Sequence, residues 1–261
     1  SEALSLDIRR IVTDSDLDGV VTAAILRRWW PEAEVVFGHP GELRAGLHDG
    51  HIDRHTAVCD LPRHPDCGLS IDHHQSNAPG EDEDDGVVII WRETPSAARI
   101  AYDLLEGEVA LSDLEDMLTW VDKLDGGGIN REEFRSDHPV IWLGRVVDTE
   151  SGIALHILES LQHGVSVDDI LSGPAVAPAL EHRRARQAEM DSAIAENTHV
   201  VDRLAIVRLE NRNMRSNGYH VTALVGEDCD ACLIVHGDVG ASFGDEGRYP
   251  VSASFLSLIH I

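Results

Sequence analysis

Three short apolar runs in the first third of the chain end at or beside carboxylates, and that placement constrains the fold more than any other feature. Residues 8–13, 56–61 and 68–72 are rich in β-branched and aliphatic side chains and read as strands. The first runs into Asp14-Ser15-Asp16-Leu17-Asp18-Gly19, the second holds Asp60 near its end, and the third closes on Asp72 before His73 and His74. Helical patterns are expected at 20–30 and 40–48, and further strands at 34–37 and 87–91. Strands alternating with helices fold as a parallel sheet covered by helices. In such a sheet the carboxyl-terminal strand ends share one edge, where ligands bind. The acids therefore converge in one cleft, with Gly19 permitting the tight turn that follows the first strand.

From Pro95 onward the pattern turns helical. Ala97, Ala98, Ile100, Ala101, Leu104 and Leu105 mark one face, and Leu111, Leu114, Met117, Leu118 and Val121 another. More helix is expected at 152–162 and 167–171, followed by a long polar helix at 177–197 that reads as a linker. After it come expected strands at 204–209, 219–225, 231–235 and 249–258, with no helix between them. The expectation is an α/β protein: a parallel-sheet domain with flanking helices at 1–172, a linker helix at 173–198, and a smaller, mostly β (α+β) domain at 199–261. The run Glu81-Asp82-Glu83-Asp84-Asp85 reads as a solvated loop.

Three carboxylates at alternating positions repel one another unless cations neutralise them. Mixed Asp and His donors suit Mn²⁺ better than Ca²⁺, with Mg²⁺ or Co²⁺ as alternatives. Two ions sharing a bridging carboxylate would polarise a phosphoryl oxygen and acidify a water. Asp122 follows an apolar helix face and could complete the second ion's shell; Asp125 is a closer case, a ligand candidate by its nearness to Asp122 but reading first as a turn residue. Isolated histidines, His39, His55, His156, His199 and His220, read as structural or surface groups.

The segments Asp14-Ser15-Asp16-Leu17-Asp18-Gly19, Val58-Cys59-Asp60-Leu61, Ile71-Asp72-His73-His74 and Trp120-Val121-Asp122 resemble, in order, the four motifs of the DHH phosphoesterases. The triple-aspartate first motif is most similar to the RecJ-like branch, and the resemblance covers residues 8–125. It implies that Asp14 and Asp16 hold one metal ion, that Asp18 and His73 hold the other, and that Asp60 bridges both. It further implies that Asp122 completes the second site, that His74 faces the substrate phosphate with a catalytic role beside Asp60 and His73, and that Asp72 supports the cluster or binds directly. The family's C-terminal DHHA1 domain holds substrate through a GGH segment; only the stretches 236–240 and 243–248 stand near it here, and neither matches well.

Arg212, Arg215 and Arg248 are the substrate-binding candidates of the C-terminal domain. Arg183, Arg184 and Arg186 on the long helix are expected to pair with Glu181 and Glu189. Tyr219, Phe243, Tyr249 and Phe255 could stack bases but read first as core. The expected function is metal-dependent hydrolysis of phosphodiester bonds; the resemblance implies short single-stranded nucleic acid or oligonucleotides as substrate, with exonuclease action one form of it. The alternatives are a small substrate, such as a cyclic dinucleotide, nucleoside bisphosphate or polyphosphate, and a non-catalytic RecJ-like scaffold subunit.

Composition bears on surroundings and partners. The sequence lacks the roughly 18 consecutive apolar residues of a membrane span and begins without a basic, then apolar, leader, so a cytoplasmic location is expected. Four cysteines, including the Cys229/Cys232 pair, are then expected as reduced thiols. With 47 acidic against 21 basic residues the formal charge is −26, and Lys123 is the one lysine. No basic stripe for phosphates is evident, so an anionic substrate would be held by metal and a few arginines. Arginine nearly replacing lysine on so acidic a chain resembles the proteins of salt-loving archaea, where molar salt shortens the Debye length to about 3 Å. Thermal melting should therefore rise steeply between low and molar KCl; an unchanged midpoint would count against this reading.

Overall fold

The alternating apolar and acidic runs build two compact units, Ser1–Ile129 with Asp137–Leu180, and Asn130–Ser136 with Glu181–Ile261. The structure, a computed structural model, describes residues 1–80, 86–147, 151–210, 212, 214–242, 244–246 and 248–257. The acidic run 81–85, Phe243 and the end of the last expected strand lie outside those residues.

In the first unit the chain runs β1 (Arg10–Asp14), α1 (Leu17–Leu26), β2 (Glu34–Gly38), α2 (Pro40–Arg44), β3 (Thr56–Cys59), β4 (Leu69–Asp72), β5 (Val88–Trp91), α3 (Ala97–Leu105) and α4 (Glu115–Asp125). After α5 (Arg131–Arg135), which belongs to the second unit, it continues through α6 (Pro139–Val146), α7 (Ser151–Gln162), α8 (Val167–Ser172) and the start of α9 (Ala177–Asn197). The five expected strands form one sheet, parallel throughout, in the order β2-β1-β3-β4-β5. Alternate residues take opposite faces. Ile11, Ala57, Cys59, Leu69 and Ile71 enter the large helical core, while Val12 and Val58 meet Leu43, Ile52, Leu61 and Cys67 on the other side.

Helix α1, Leu-Asp-Gly-Val-Val-Thr-Ala-Ala-Ile-Leu, is buried along its whole length, packed on β1 and β3 and enclosed by α3, α4 and α7. It starts three residues earlier than expected. Asp16 caps it, its carboxylate accepting the Gly19 N–H at 2.9 Å, so Asp18 lies inside the first helical turn rather than in a loop.

The second unit contains α5, the rest of α9, β6 (Thr198–Val201), β7 (Leu204–Leu209), α10 (Gly218–Val225), β8 (Ala231–His236) and β9 (Ser252–Ser257). Its sheet runs β6-β7-β8-β9, with β7 and β8 parallel and the outer pairs antiparallel. Parallel neighbours need a crossover, and α10 supplies it. This corrects the expected strand at 219–225. Val221, Thr222 and Val225 are β-branched and suggest a strand, but the Asn217 side chain caps the segment through the His220 N–H, and Gly226 ends it at φ +85°. The tertiary need for a crossover outweighs the weak local preference. All four cysteines are free and buried, Cys229 and Cys232 within the core of this unit.

Gly19 is fixed by close approach rather than by φ: a Cβ there would lie 2.2 Å from the Asp14 carbonyl oxygen and 2.9 Å from its nitrogen. Backbone cannot yield as a side-chain tip can. Gly19→Ala should lower unfolding stability by on the order of 2–4 kcal/mol, against at most about 0.5 kcal/mol for Gly41→Ala, which meets nothing within 4 Å. Urea titration in molar salt compares the two, and equal midpoints would refute the steric argument.

Candidate metal centre

The strand order reverses direction between β1 and β3: the chain steps outward to β2, returns past β1, and then proceeds to β5. Loops leaving the two strands at such a switch point diverge and open a crevice at their carboxyl ends. Asp14 ends β1, Asp16 and Asp18 open α1, and Asp60 directly follows β3. Asp72 ends β4, one strand further, and His73 and His74 follow it.

Local structure aims each group. Asp60 adopts φ +56°, a left-handed conformation that aspartate tolerates better than most residues, while its N–H bonds to the Ile71 carbonyl at 2.8 Å. Asp18, 2% exposed, accepts the N–H groups of Ala97 and Ala98, both at 2.7 Å, at the amino-terminal turn of α3. The Thr94 carbonyl lies 3.0 Å from His73 Nδ1 and can only accept, so that nitrogen carries the proton and Nε2 faces the acids. His73 Nε2 is 3.5 Å from Asp18, 3.6 Å from Asp60 and 3.0 Å from Asp125. His74 Nδ1 lies 3.6 Å from Asp60.

Two expected residues stand apart from this convergence. Asp72 turns one carboxylate oxygen to the His73 N–H, the His74 N–H and the His74 ring at 2.7, 3.1 and 2.8 Å, and the other to Asn77 at 2.7 Å. It orients the two histidines. Asp122 accepts from Ser96 at 2.7 Å and pairs with Arg99 at 2.6 Å, tying α4 to α3. Asp125, one helical turn on, is the acid that meets His73. Spaced i, i+3, the two acids share one face of α4, so the sequence offered both, and Asp125 is the one that reaches His73.

Four buried or half-buried acids in one place are electrostatically costly. Burial, followed by the neighbouring carboxylates, pushes Asp18 up to about 7 and holds Asp60 well above the usual range; Asp16, though an exposed residue, is pushed up to about 6 by the desolvation of its carboxyl group and by Asp14 and Asp125. For His73 burial acts the other way, but the Asp125 and Asp60 carboxylates outweigh it and raise the imidazole. His74 is raised by Asp72, while Asp72 is lowered because its bonds to His74 and Asn77 outweigh its burial. Without a cation the cluster balances itself with protons. Asp60 Oδ1 and His73 Nε2, both buried, have no hydrogen-bond partner among the described residues. Asp60, His73 and His74 form one set of ligand atoms within 4.8 Å of one another, and Asp18, His73 and Asp125 a second. Mixed carboxylate and imidazole sets that meet at His73 and include these two unpartnered atoms fit divalent ions.

The arginines of the second unit are engaged within it. Arg212 pairs with Glu196 at 3.3 Å, Arg215 with Asp238 at 3.0 Å, and Arg248 donates to the Val239 carbonyl at 2.8 Å. Arg186 pairs with Glu189 at 3.6 Å, as expected of the long helix. Tyr219, Tyr249 and Phe255 are exposed rather than core residues.

No protein-family model matches the sequence, and no curated protein matches it. Among solved structures, a pGpG-specific phosphodiesterase, PggH from Vibrio cholerae, is 23% identical, with a TM-score of 0.72 over 88% of this chain and 78% of that one. The chain has the fold of that phosphodiesterase. The five-stranded parallel sheet with flanking helices and the second, smaller sheet are the α/β architecture expected from the sequence. Two other structures align less closely: the DHH domain of a member of the S1P family of ribosomal proteins, at 13% identity and a TM-score of 0.42 over 87% of this chain and 71% of that one, and an uncharacterized Helicobacter pylori protein, at 11% and 0.38 over 87% and 82%. No helix among the described residues is long and apolar enough to cross a membrane.

The raised groups fix a pH dependence. Asp16, Asp18 and Asp60 bind protons more tightly folded than unfolded, so metal-free stability falls as pH rises from about 4 through 6 and 7. The raised His73 has the same sign, its contribution being complete below its unfolded value and lost as pH climbs through the folded one. A divalent ion bound at these groups would replace those protons. The Mn²⁺-induced increase in melting temperature should therefore be larger at pH 8 than at pH 5 in molar salt, and be abolished by chelation. An equal increase at both values would contradict the assignment.

Proposed function

We propose that this chain is a DHH-family phosphoesterase that hydrolyses phosphodiester bonds with two divalent ions, Mn²⁺ being the best candidate. The observation that carries the reading is the convergence of Asp18, Asp60, His73 and Asp125 at the switch point, with two buried ligand atoms left unbonded. Asp14 and Asp16 would hold one ion and Asp18, His73 and Asp125 the other, with Asp60 contributing to both. Asp125 thus takes the place that the motif resemblance assigned to Asp122. Bound divalent ions supply Lewis acidity to a phosphoryl oxygen and acidify the attacking water.

The remaining chemistry is positional. His74, about half exposed and aimed by Asp72, faces the substrate phosphate. The Thr94 carbonyl keeps His73 in the ligating tautomer, and the first turn of α3 holds the Asp18 carboxylate in place. The second unit acts as a DHHA1-like substrate-binding domain, with Arg212, Arg215 and Arg248 able to exchange their carboxylate or carbonyl partners for phosphate. Short linear oligonucleotides are the favoured substrates, cleaved from an end; the fold shared with a protein described as specific for pGpG supports a dinucleotide-sized target. A cyclic dinucleotide is the second reading, and the high acidic charge with a single lysine supports a halophilic enzyme.

A panel of linear dinucleotides, longer RNA and DNA, cyclic dinucleotides and polyphosphate, supplied with Mn²⁺ in molar salt, tests the substrate. Asp125→Asn should abolish turnover, while Asp122→Asn should cost no more than about 10- to 100-fold, as expected for a residue acting through its neighbours. The reverse ranking would return the ligand role to Asp122. A protein that binds Mn²⁺ yet is inert to every phosphoester would favour the scaffold reading.

A further inference from the structure

The acids of the cluster differ in how firmly they are held. Asp18 has two backbone donors, Asp16 has the Gly19 N–H, and Asp60 is fixed by its backbone conformation and its bond to β4. Asp14, at the outer end of β1, receives one adjacent backbone donor, the Ser15 N–H at 2.6 Å. The other group at its carboxylate is His39, whose Nδ1 lies 3.4 Å from the same oxygen, Asp14 Oδ1.

We propose that His39 is a positioning residue for the Asp14 carboxylate, the head of a chain of contacts Asp14–His39–Glu42–His48 that sets ion affinity at the Asp14 position. Strand β2 pairs with β1 in a register that places Gly38 opposite Asp14, so the next residue emerges beside the cleft. Pro40 follows, which favours extended backbone before it, and His39 sits at φ −119°, ψ 154°. Its N–H donates to Glu42 Oε2 at 3.0 Å, and the same oxygen meets His48 Nε2 at 3.1 Å. His48 is anchored in turn: its ring is 13% exposed and packs so tightly on β2 that a Cβ at Gly38 would lie 2.9 Å from His48 Nε2. The His39 ring itself is 63% exposed, so burial does not hold it; its backbone does. At 3.4 Å the ring meets Asp14 in an ion-pair contact rather than a hydrogen bond, and because a carboxylate can only accept, the contact is favourable when Nδ1 carries a proton.

Outer groups of this kind raise the affinity of a ligand set by fixing its geometry. The inference rests on the metal-centre reading, and a Mn²⁺ titration of the full chain followed by the EPR signal of the free ion separates the two. His39→Ala should weaken one of two binding events roughly 10- to 100-fold, with His39→Gln, which keeps a donor, recovering part of the loss. Glu42→Gln should produce a smaller loss in the same event, and serves should the alanine variant fail to fold. In an Asp14→Asn background His39→Ala should add less than about twofold, because the two act as one unit. Unchanged titrations for both His39→Ala and Glu42→Gln, or full additivity with Asp14→Asn, would overturn the positioning role while leaving the metal centre intact. No Mn²⁺ binding by the unsubstituted chain would overturn both.

Discussion

Asp18 joins the helical layer to the site. Its carboxylate lies inside the first turn of α1 and accepts two N–H groups from the first turn of α3, so two helices on one face of the sheet are tied through a single anion. A helix amino terminus carries unsatisfied donors and partial positive charge, both of which the carboxylate answers. The reciprocal benefit is that the acid is held rigidly while 2% exposed. Asp122 repeats the device one layer out, joining α4 to α3 through Ser96 and Arg99. The helices that cover the sheet are thus stitched to one another at the same end at which the cluster lies.

Much of this was legible in the chain. Acid-terminated apolar runs and helix signals between them specify a parallel sheet, and a parallel sheet brings its strand ends together; neither step needs side-chain detail. Asp14, Asp16, Asp18, Asp60 and His73 follow from that logic and from the motif resemblance. The tautomer of His73 does not, because the carbonyl that fixes it belongs to Thr94, twenty-one residues away.

The readings that the sequence could not decide share a cause. Choosing between Asp122 and Asp125 requires the rotation of α4 about its axis, which is fixed by Met117, Leu118 and Val121 entering the core and by the partner Arg99 on a different helix. Segment 218–225 has β-branched residues compatible with either state, and only the parallel pairing of β7 with β8 decides for helix. His39 looks like any exposed histidine until the register of β2 on β1 is known. In each case local chemistry was ambiguous and a contact remote in sequence resolved it.

The left-handed backbone at Asp60 carries a consequence for variation in this chain. Conformation and charge make separate demands on one position: the turn favours Asn, Asp or Gly, whereas the cluster needs a carboxylate. Asparagine meets the first demand and glutamate the second, and aspartate alone meets both. A two-sided filter of this kind lets almost no neutral path pass through position 60, so loss of the acid there would accompany a change of role rather than gradual drift.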